Sequence, residues 1–334
     1  MTQLSTAGGA GSPALPAPPK PPRRGALRRN ESRAGLALIS PTFVIVLIVV
    51  VVPIVWSIAL AFERVRLITL QTSGLFGAFT LQNFVNVVNA PGFFDTLFTT
   101  LGYSVFGTAL SIGVGLIAAL ALRRSFKLRG LVRSLMLLPY VAPVVAVTFV
   151  WQTMLSPQFG IINYWGQHLL GWSKPIAFLS ETSNSVSLFG WHVQVPTALI
   201  TVILFEAWRQ FPFAFLFLTA RLQAIPGTLE EAARMDGATI SQRFRYLIWP
   251  QLLPTIAVLS VLRFVWTFTK FDDIYLLTGG AAGTEVISVR VFNFLTGRGD
   301  IGLASAQALV IAIVLAVLVT IYLRLFRTRE EDLS

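Results

Sequence analysis

Residues 225–254 read IPGTLEEAARMDGATISQRFRYLIWPQLLP, a polar segment lodged between two long apolar runs. Thr228 followed by Glu231 has the spacing of a helix-opening capping box, in which the hydroxyl and the carboxylate each satisfy a backbone N–H. Thr239 followed by Gln242 repeats it. Gly237 lies between the two, where a helix closes with a residue in the left-handed conformation. Local chemistry therefore predicts a helix over 229–236, a tight turn, and a second helix over 240–249. Pro250 and Pro254 would then open the next apolar run. A short helix held this way between two membrane spans makes a compact knob, able to pass force from a soluble partner into the membrane.

The flanking runs decide the architecture. About 20 apolar residues cross the hydrocarbon core, and a charge-free run of that length signals a spanning helix. Residues 34–62 and 96–122 contain no charge. A third run starts at Ser134 and passes through MLLPYVAPVVAVTFVW. The fourth, over about 196–220, is interrupted by Glu206 and Arg209. The fifth, over 246–269, is interrupted by Arg263, and the sixth, over 301–323, is clean. The reading is an all-α integral membrane protein of six spans, with the 225–254 segment between spans four and five.

Composition agrees. Charged residues make up 12% of the 334 residues and hydrophobic residues 54%, whereas soluble domains carry about a quarter charged residues. There is no cysteine, hence no disulfide framework, thiolate nucleophile or Cys-based metal site. The two histidines, His168 and His192, have no partner at metal-ligand spacing. No G-x-x-x-x-G-K-[ST] sequence occurs, so ATP is not hydrolysed here by a P-loop. No catalytic constellation emerges, and the chain reads as a non-enzyme.

The net charge of +11 comes from 26 Lys+Arg against 15 Asp+Glu, and its placement follows the positive-inside rule. Eighteen basic residues fall on one side: the N-terminal tail, the loop after span two, the loop after span four and the C-terminal tail. Six fall on the other side, and Arg209 and Arg263 lie within spans. Both termini and the loop at 226–250 are therefore expected to be cytoplasmic, and nucleic acid is not an expected partner. Residues 1–33, rich in Pro, Gly and Ser, are expected to form a disordered basic tail rather than a cleavable signal peptide. Residues 34–328 would form the membrane domain and 329–334 a cytoplasmic tail. About 40 residues between spans three and four should lie outside the cytoplasm.

Polar groups within spans are costly and default to function. Glu206, Arg209, Gln210 and Phe213 fall at i, i+3, i+4 and i+7, on one helical face; Arg263, Trp266, Thr267 and Lys270 repeat that spacing. Two such stripes can line one shared path, and rings beside hydrogen-bonding groups suit sugars. Glu206, Arg209 and Arg263 sum to +1, which suggests a sugar bearing an anionic group or making unusually polar contacts. The alternative is that Glu206 pairs with an arginine purely for structure. Pro139, Pro143 and Pro212 should kink their helices.

EAARMDGA at 231–238 resembles the EAA loop of ABC importer permeases. The resemblance implies that Glu231, Ala232, Ala233, Asp236 and Gly237 belong to the coupling helix that docks on an ATPase subunit. LQNF at 81–84, GLVRSLMLLPYVAP at 130–143, FGIIN at 159–163, LQAIP at 222–226, FDDIYLLTGG at 271–280 and ASA at 304–306 resemble the maltose-type carbohydrate uptake branch. Leu247, Trp249 and the Ala281 that follows Gly279-Gly280 depart from its usual pattern. The resemblance implies the permease subunit of an ATP-driven importer of a sugar or oligosaccharide, in the bacterial inner membrane. Its partners would be membrane lipid, a second permease forming a heterodimer, two ATPase subunits and an extracytoplasmic solute-binding protein. ATP and Mg would be used by the ATPase, with no cofactor in this chain. It further implies sugar contacts from Tyr140 and Phe213 and from the positions of Glu206, Arg209, Gln210, Arg263, Trp266 and Thr267. These last six differ in chemistry from the family pattern, so the sugar need not be maltose. The alternatives are an ion-coupled secondary transporter, a membrane enzyme built on Glu206, Asp272 or Asp273, and a receptor-like anchor.

Overall fold

The computed structural model describes residues 38–69, 79–123, 126–188 and 191–331. The chain divides after Trp56 into two compact units. The expected tail over 1–33 lies outside the described residues. Charge-free and apolar all round, residues 38–61 form the 24-residue helix α1 (Leu38–Ala61), widened to π geometry over Leu47–Val51. None of its most apolar stretch is buried, which leaves an apolar surface for lipid or another subunit.

The second unit begins at Ser57 and is organised around one helix pair, α3 (Phe93–Ala121) and α7 (Thr197–Gln223). In α3 the buried positions include Thr96, Thr100, Ser104, Gly107, Thr108, Ser111, Gly115, Ala118 and Ala119, a stripe of small residues at helical spacing. Lipid tails are as apolar as leucine, so membrane helices gain by close backbone approach, which small residues permit. Gly115 is the tightest point: a Cβ there would stand 2.8 Å from Ala214 Cβ and 2.9 Å from the backbone nitrogen of Phe215. Two of the hydroxyls are satisfied within the helix, because Thr100 and Ser104 each donate to the carbonyl four residues earlier at 2.6 Å, whereas Thr108 Oγ1 is buried without a partner among the described residues.

Other sequence motifs act as staples. Asn83, in α2 (Gln82–Val88), donates to the carbonyls of Ala61 at 3.0 Å and Glu63 at 2.8 Å. Gly302 allows this approach, since a Cβ would lie 2.2 Å from the Glu63 carbonyl. Asn163, in α6 (Ile161–Leu169), donates to Ile176 O at 3.0 Å and accepts from Ile176 N at 2.7 Å, fixing the strand-free loop that follows.

Several expectations are corrected. The third run is two helices, α4 (Arg129–Val141) and α5 (Val144–Met154), bent by 96°. Ala142 is extended (φ −64°, ψ 141°) because the Pro143 ring disfavours helical geometry in the residue before it. Among the described residues five helices are long and apolar enough to cross a membrane, or six if the bent pair is one span. Pro212, by contrast, sits inside the 27-residue α7 without ending it. The fold is not purely helical: β1 (Asn184–Leu188) and β2 (Trp191–Val195) pair antiparallel, from Asn184 opposite Val195 to Leu188 opposite Trp191. His192 lies on this hairpin.

After α8 (Gly227–Met235), the chain does not pause at residue 249. One helix, α9 (Ile240–Phe268), runs from the loop into the membrane. A π turn over Phe244–Ile248 precedes Pro250, and the wider turn accommodates a residue that lacks an N–H. Then follow α10 (Asp272–Thr278), closed by Gly279 at φ +62°, α11 (Ile287–Thr296) and α12 (Ile301–Glu331). The last helix outruns the expected stop at 323 and takes in residues 329–331 of the expected tail; residues 332–334 lie outside the described residues.

If the Gly115 approach sets the α3–α7 spacing, Gly115→Leu should lower the unfolding free energy in detergent by about 1–3 kcal/mol. Gly113→Leu, where an added Cβ meets nothing within 4 Å, should leave it nearly unchanged. Thermal denaturation of the two variants checks this.

Candidate functional site

The elbow between α7 and α9 is built by backbone chemistry. Its first expected capping box does not form: α8 starts at Gly227 with Pro226 as N-cap, so Thr228 is already inside the helix. The left-handed closure and the second capping box form as expected. Gly237 adopts φ +75°, its N–H reaches Arg234 O at 3.0 Å, and the Ala238 N–H reaches Ala233 O at 2.9 Å. This doubly bonded closure is the Schellman arrangement, which requires a left-handed residue at that place. Thr239 and Gln242 then form the second capping box: Gln242 N donates to Thr239 Oγ1 at 3.3 Å and Thr239 N to Gln242 Oε1 at 2.8 Å.

The elbow presents its surface outward. Glu231, Ala232, Asp236 and Gly237 are exposed, Ala233 is half-buried, and no residue of α8 is buried. Met235 is 88% exposed. The neighbouring Glu230 points the other way and forms a salt bridge with Arg123, at the end of α3. Arginines that read as topology signals also cap carbonyls: Arg129 Nε donates to Leu122 O at 2.8 Å and Arg221 Nε to Gln251 O at 2.9 Å. The sequence pattern did not single out Glu230 or Arg123, since their pairing joins residues 107 positions apart.

Within the membrane the eight candidate path residues separate into three sets. Glu206, Gln210, Arg263 and Thr267 meet in a buried knot between α7 and α9. Arg263 is 2% exposed and donates to Glu206 Oε1 at 2.5 Å, Gln210 Oε1 at 3.0 Å and Thr267 Oγ1 at 3.2 Å. Thr267 also donates to Glu206 Oε1 at 3.2 Å. Gly107 of α3 makes room, because a Cβ there would come within 3.3 Å of Glu206 Cγ.

Arg209 lies outside the knot. It donates to Asp273 Oδ1 at 2.6 Å and stands 3.9 Å from Asp272, both on α10. Lys270 completes this second cluster, 3.3 Å from Asp272 and 3.7 Å from Asp273. The +1 sum over Glu206, Arg209 and Arg263 is therefore incomplete: three cations face three carboxylates. The adjacent acids of FDD and Lys270 in the fifth-span stripe were visible signals of this, although the sequence alone does not reveal their partner on α7.

The third set is aromatic and open. Tyr140, Phe213 and Trp266 come together, with ring centroids 6.1 Å apart for Tyr140–Phe213 and 5.2 Å for Phe213–Trp266. Phe217, not among the expected residues, extends the patch at 4.8 Å from Phe213. Tyr140 is 41% and Trp266 44% exposed, while Phe213 is half-buried. Among the described residues no group of three or more His, Cys, Asp or Glu side chains could hold a metal ion.

Comparison with known proteins gives the same outline. Residues 111–331 match the family described as binding-protein-dependent transport system inner membrane component. An inner membrane ABC transporter permease protein of Escherichia coli (strain K12) is 33% identical over 287 residues, covering 86% of this chain and 92% of that protein. The permease protein of a trehalose/maltose transport system of Thermococcus litoralis is 30% identical, covering 91% of this chain and 97% of its own length. The fold also matches a chain in the crystal structure of a bacterial alginate ABC transporter in complex with an alginate pentasaccharide-bound periplasmic protein. That match has a TM-score of 0.72 and 23% identity, and covers 90% of this chain and 96% of that one.

Removing one member of the buried ion pair strands the other, which costs about 3–5 kcal/mol, whereas an apolar pair of similar volume is often tolerated. Glu206→Leu should therefore fail to give a stable, monodisperse protein in detergent. The double variant Glu206→Leu/Arg263→Met should recover most of the thermal stability.

Proposed function

Because the chain belongs to the binding-protein-dependent transport system inner membrane component family, we propose that its elbow at α8 is the point where a separate ATPase drives solute movement. The chain is a permease subunit of an ABC importer and a multi-pass protein of the inner membrane. The observation that carries the coupling role is the outward-facing elbow: Glu231 and Ala232 exposed on α8, and Asp236 and Gly237 exposed in the doubly hydrogen-bonded closure that ends it, before the Thr239 cap opens α9.

In this reading α4 and α5 together make the third of six spans, and both termini face the cytoplasm, as the distribution of Lys and Arg supports. The elbow then lies on the cytoplasmic side. A second, similar permease completes the path, two ATPase subunits use ATP and Mg, and an extracytoplasmic solute-binding protein delivers the substrate. The alginate transporter complexed with a periplasmic protein supports that last partner by analogy of fold. The substrate is a sugar or oligosaccharide, as it is for the trehalose/maltose permease. Tyr140, Phe213 and Trp266 offer faces on which a sugar ring can stack. Closure of the ATPase pair on ATP pushes the elbow, and α9, continuous from Ile240 to Phe268, carries the displacement into the membrane.

The absence of cysteine makes a labelling test clean. A single cysteine at Asp236 should react with a membrane-impermeant maleimide only from the cytoplasmic side. Glu231→Lys should insert and assemble normally yet lose at least about tenfold in ATP-dependent uptake, a coupling loss of about 1.4 kcal/mol or more. Unchanged uptake would remove the docking role.

A further inference from the structure

The charged groups of the candidate path pair with one another, while Glu206 Oε2, Asp273 Oδ2, Arg209 Nε and Arg263 Nε stay buried without a hydrogen-bond partner among the described residues. Arg263 is spent on Glu206, Gln210 and Thr267, Arg209 on Asp273, and Lys270 on Asp272 and Asp273. Three cations meet three carboxylates, each cation within 3.9 Å of one. Where polarity is low a matched pair has little field left for a third charge. An anionic solute that claimed Arg209 or Arg263 would have to displace Asp273 or Glu206, both fully buried, and strand that carboxylate without a partner. An exchange of one carboxylate for another cannot recover that loss.

What remains open to a solute is the aromatic patch of Tyr140, Phe213, Phe217 and Trp266. Ring faces carry partial negative charge; they attract the C–H face of a pyranose and disfavour a carboxylate or phosphate laid against them. We propose that this chain's half of the path selects an uncharged polyhydroxylated solute, a neutral sugar, and discriminates against uronates and sugar phosphates. The two ion clusters act as positioning groups that hold α7, α9 and α10 behind the aromatic patch. This reverses the anionic preference suggested by the sum over Glu206, Arg209 and Arg263. It rests on the reading of these residues as the solute path.

Delivery by a binding protein would mask the permease's own preference, so the test omits it. The assembly of this chain with its partner permease and ATPase, purified without binding protein, is titrated with two panels. One panel holds neutral di- and trisaccharides, including trehalose and maltotriose; the other holds galacturonate oligomers of the same lengths. Binding is followed as the tryptophan fluorescence change that Trp266→Phe abolishes. The best neutral sugar should bind at least about tenfold more tightly than the best uronate, with an affinity indifferent to salt. Asp273→Asn, which releases Arg209, should narrow that gap by raising uronate affinity; should this variant fail to assemble, the wild-type comparison still decides. A uronate that binds as tightly as the best neutral sugar, weakening as salt rises, overturns the proposal. If neither panel binds while the complete transporter still imports a labelled sugar, the aromatic patch is not the path, and the proposal falls while the sugar-importer reading stands. If the complete transporter imports no sugar of either panel, the sugar reading itself fails.

Discussion

A carboxylate and a guanidinium buried together between α7 and α9 set the terms for the rest of the membrane domain. Each alone would cost several kcal/mol at mid-bilayer. Joined at 2.5 Å and supported by Gln210 and Thr267, Glu206 and Arg263 are tolerated. That geometry has a steric condition, because the knot needs space on the α3 side. The small-residue stripe of α3 supplies it, with Gly107 beside Glu206 and Gly115 bringing α3 and α7 into backbone contact. Close helix packing and buried charge are here two aspects of one arrangement. Bulkier residues on α3 would separate the helices and admit lipid or water to a pair that depends on its exclusion.

How much of this could be read from residues alone follows the range of the interaction concerned. The Thr239–Gln242 cap and the left-handed Gly237 involve groups three to five residues apart, and both form as the spacing predicts. The Thr228–Glu231 pair has the same spacing, yet α8 begins one turn position too early for it, since Pro226 takes the N-cap. Boundaries depend on competition between neighbouring starts, which a motif does not resolve. The two polar stripes correctly put Glu206 with Gln210 and Arg263 with Thr267, because helical periodicity fixes faces. It does not fix which faces meet: a pairing of Glu206 with an arginine could be weighed from the residues, but not that Arg263, 57 residues further along, supplies it, nor that Arg209 pairs with Asp273, 64 residues further along.

Proline was legible only in part, for a related reason. Three prolines within apolar runs carry the same local signal, yet Pro212 lies in an unbroken helix while the step from Ala142 to Pro143 turns the chain by 96°. The difference lies in what surrounds each residue. Pro212 is buried in the closely packed α7, where tertiary contact holds helical geometry against the lost hydrogen bond. Ala142 and Pro143 join two separate helices, and nothing opposes the extended preference of the residue before proline. At Pro250 a third solution appears, the π turn over Phe244–Ile248, and it lets α9 run on where the sequence suggests a restart.

That continuity bears on how a push at the elbow would travel. From Ile240 to Arg263 a helix rises about 35 Å at 1.5 Å per residue, close to the thickness of a bilayer core. The two helices that leave the elbow, α7 and α9, are tied at two heights: by Arg221 to Gln251 O near the elbow, and by Glu206 with Arg263 further in. Two ties along one pair resist both shear and splaying, so displacement of α8 would move the pair as a unit. Phe213 and Trp266, one on each helix and 5.2 Å apart, would move with it and keep their spacing. Tyr140 sits on α4, before the bend; Met136 and Leu137 pack α4 on the same core as α7, and the Tyr140 ring meets Phe213 at 6.1 Å. A change in the width of the aromatic patch within this chain therefore requires α4 to shift against that packing.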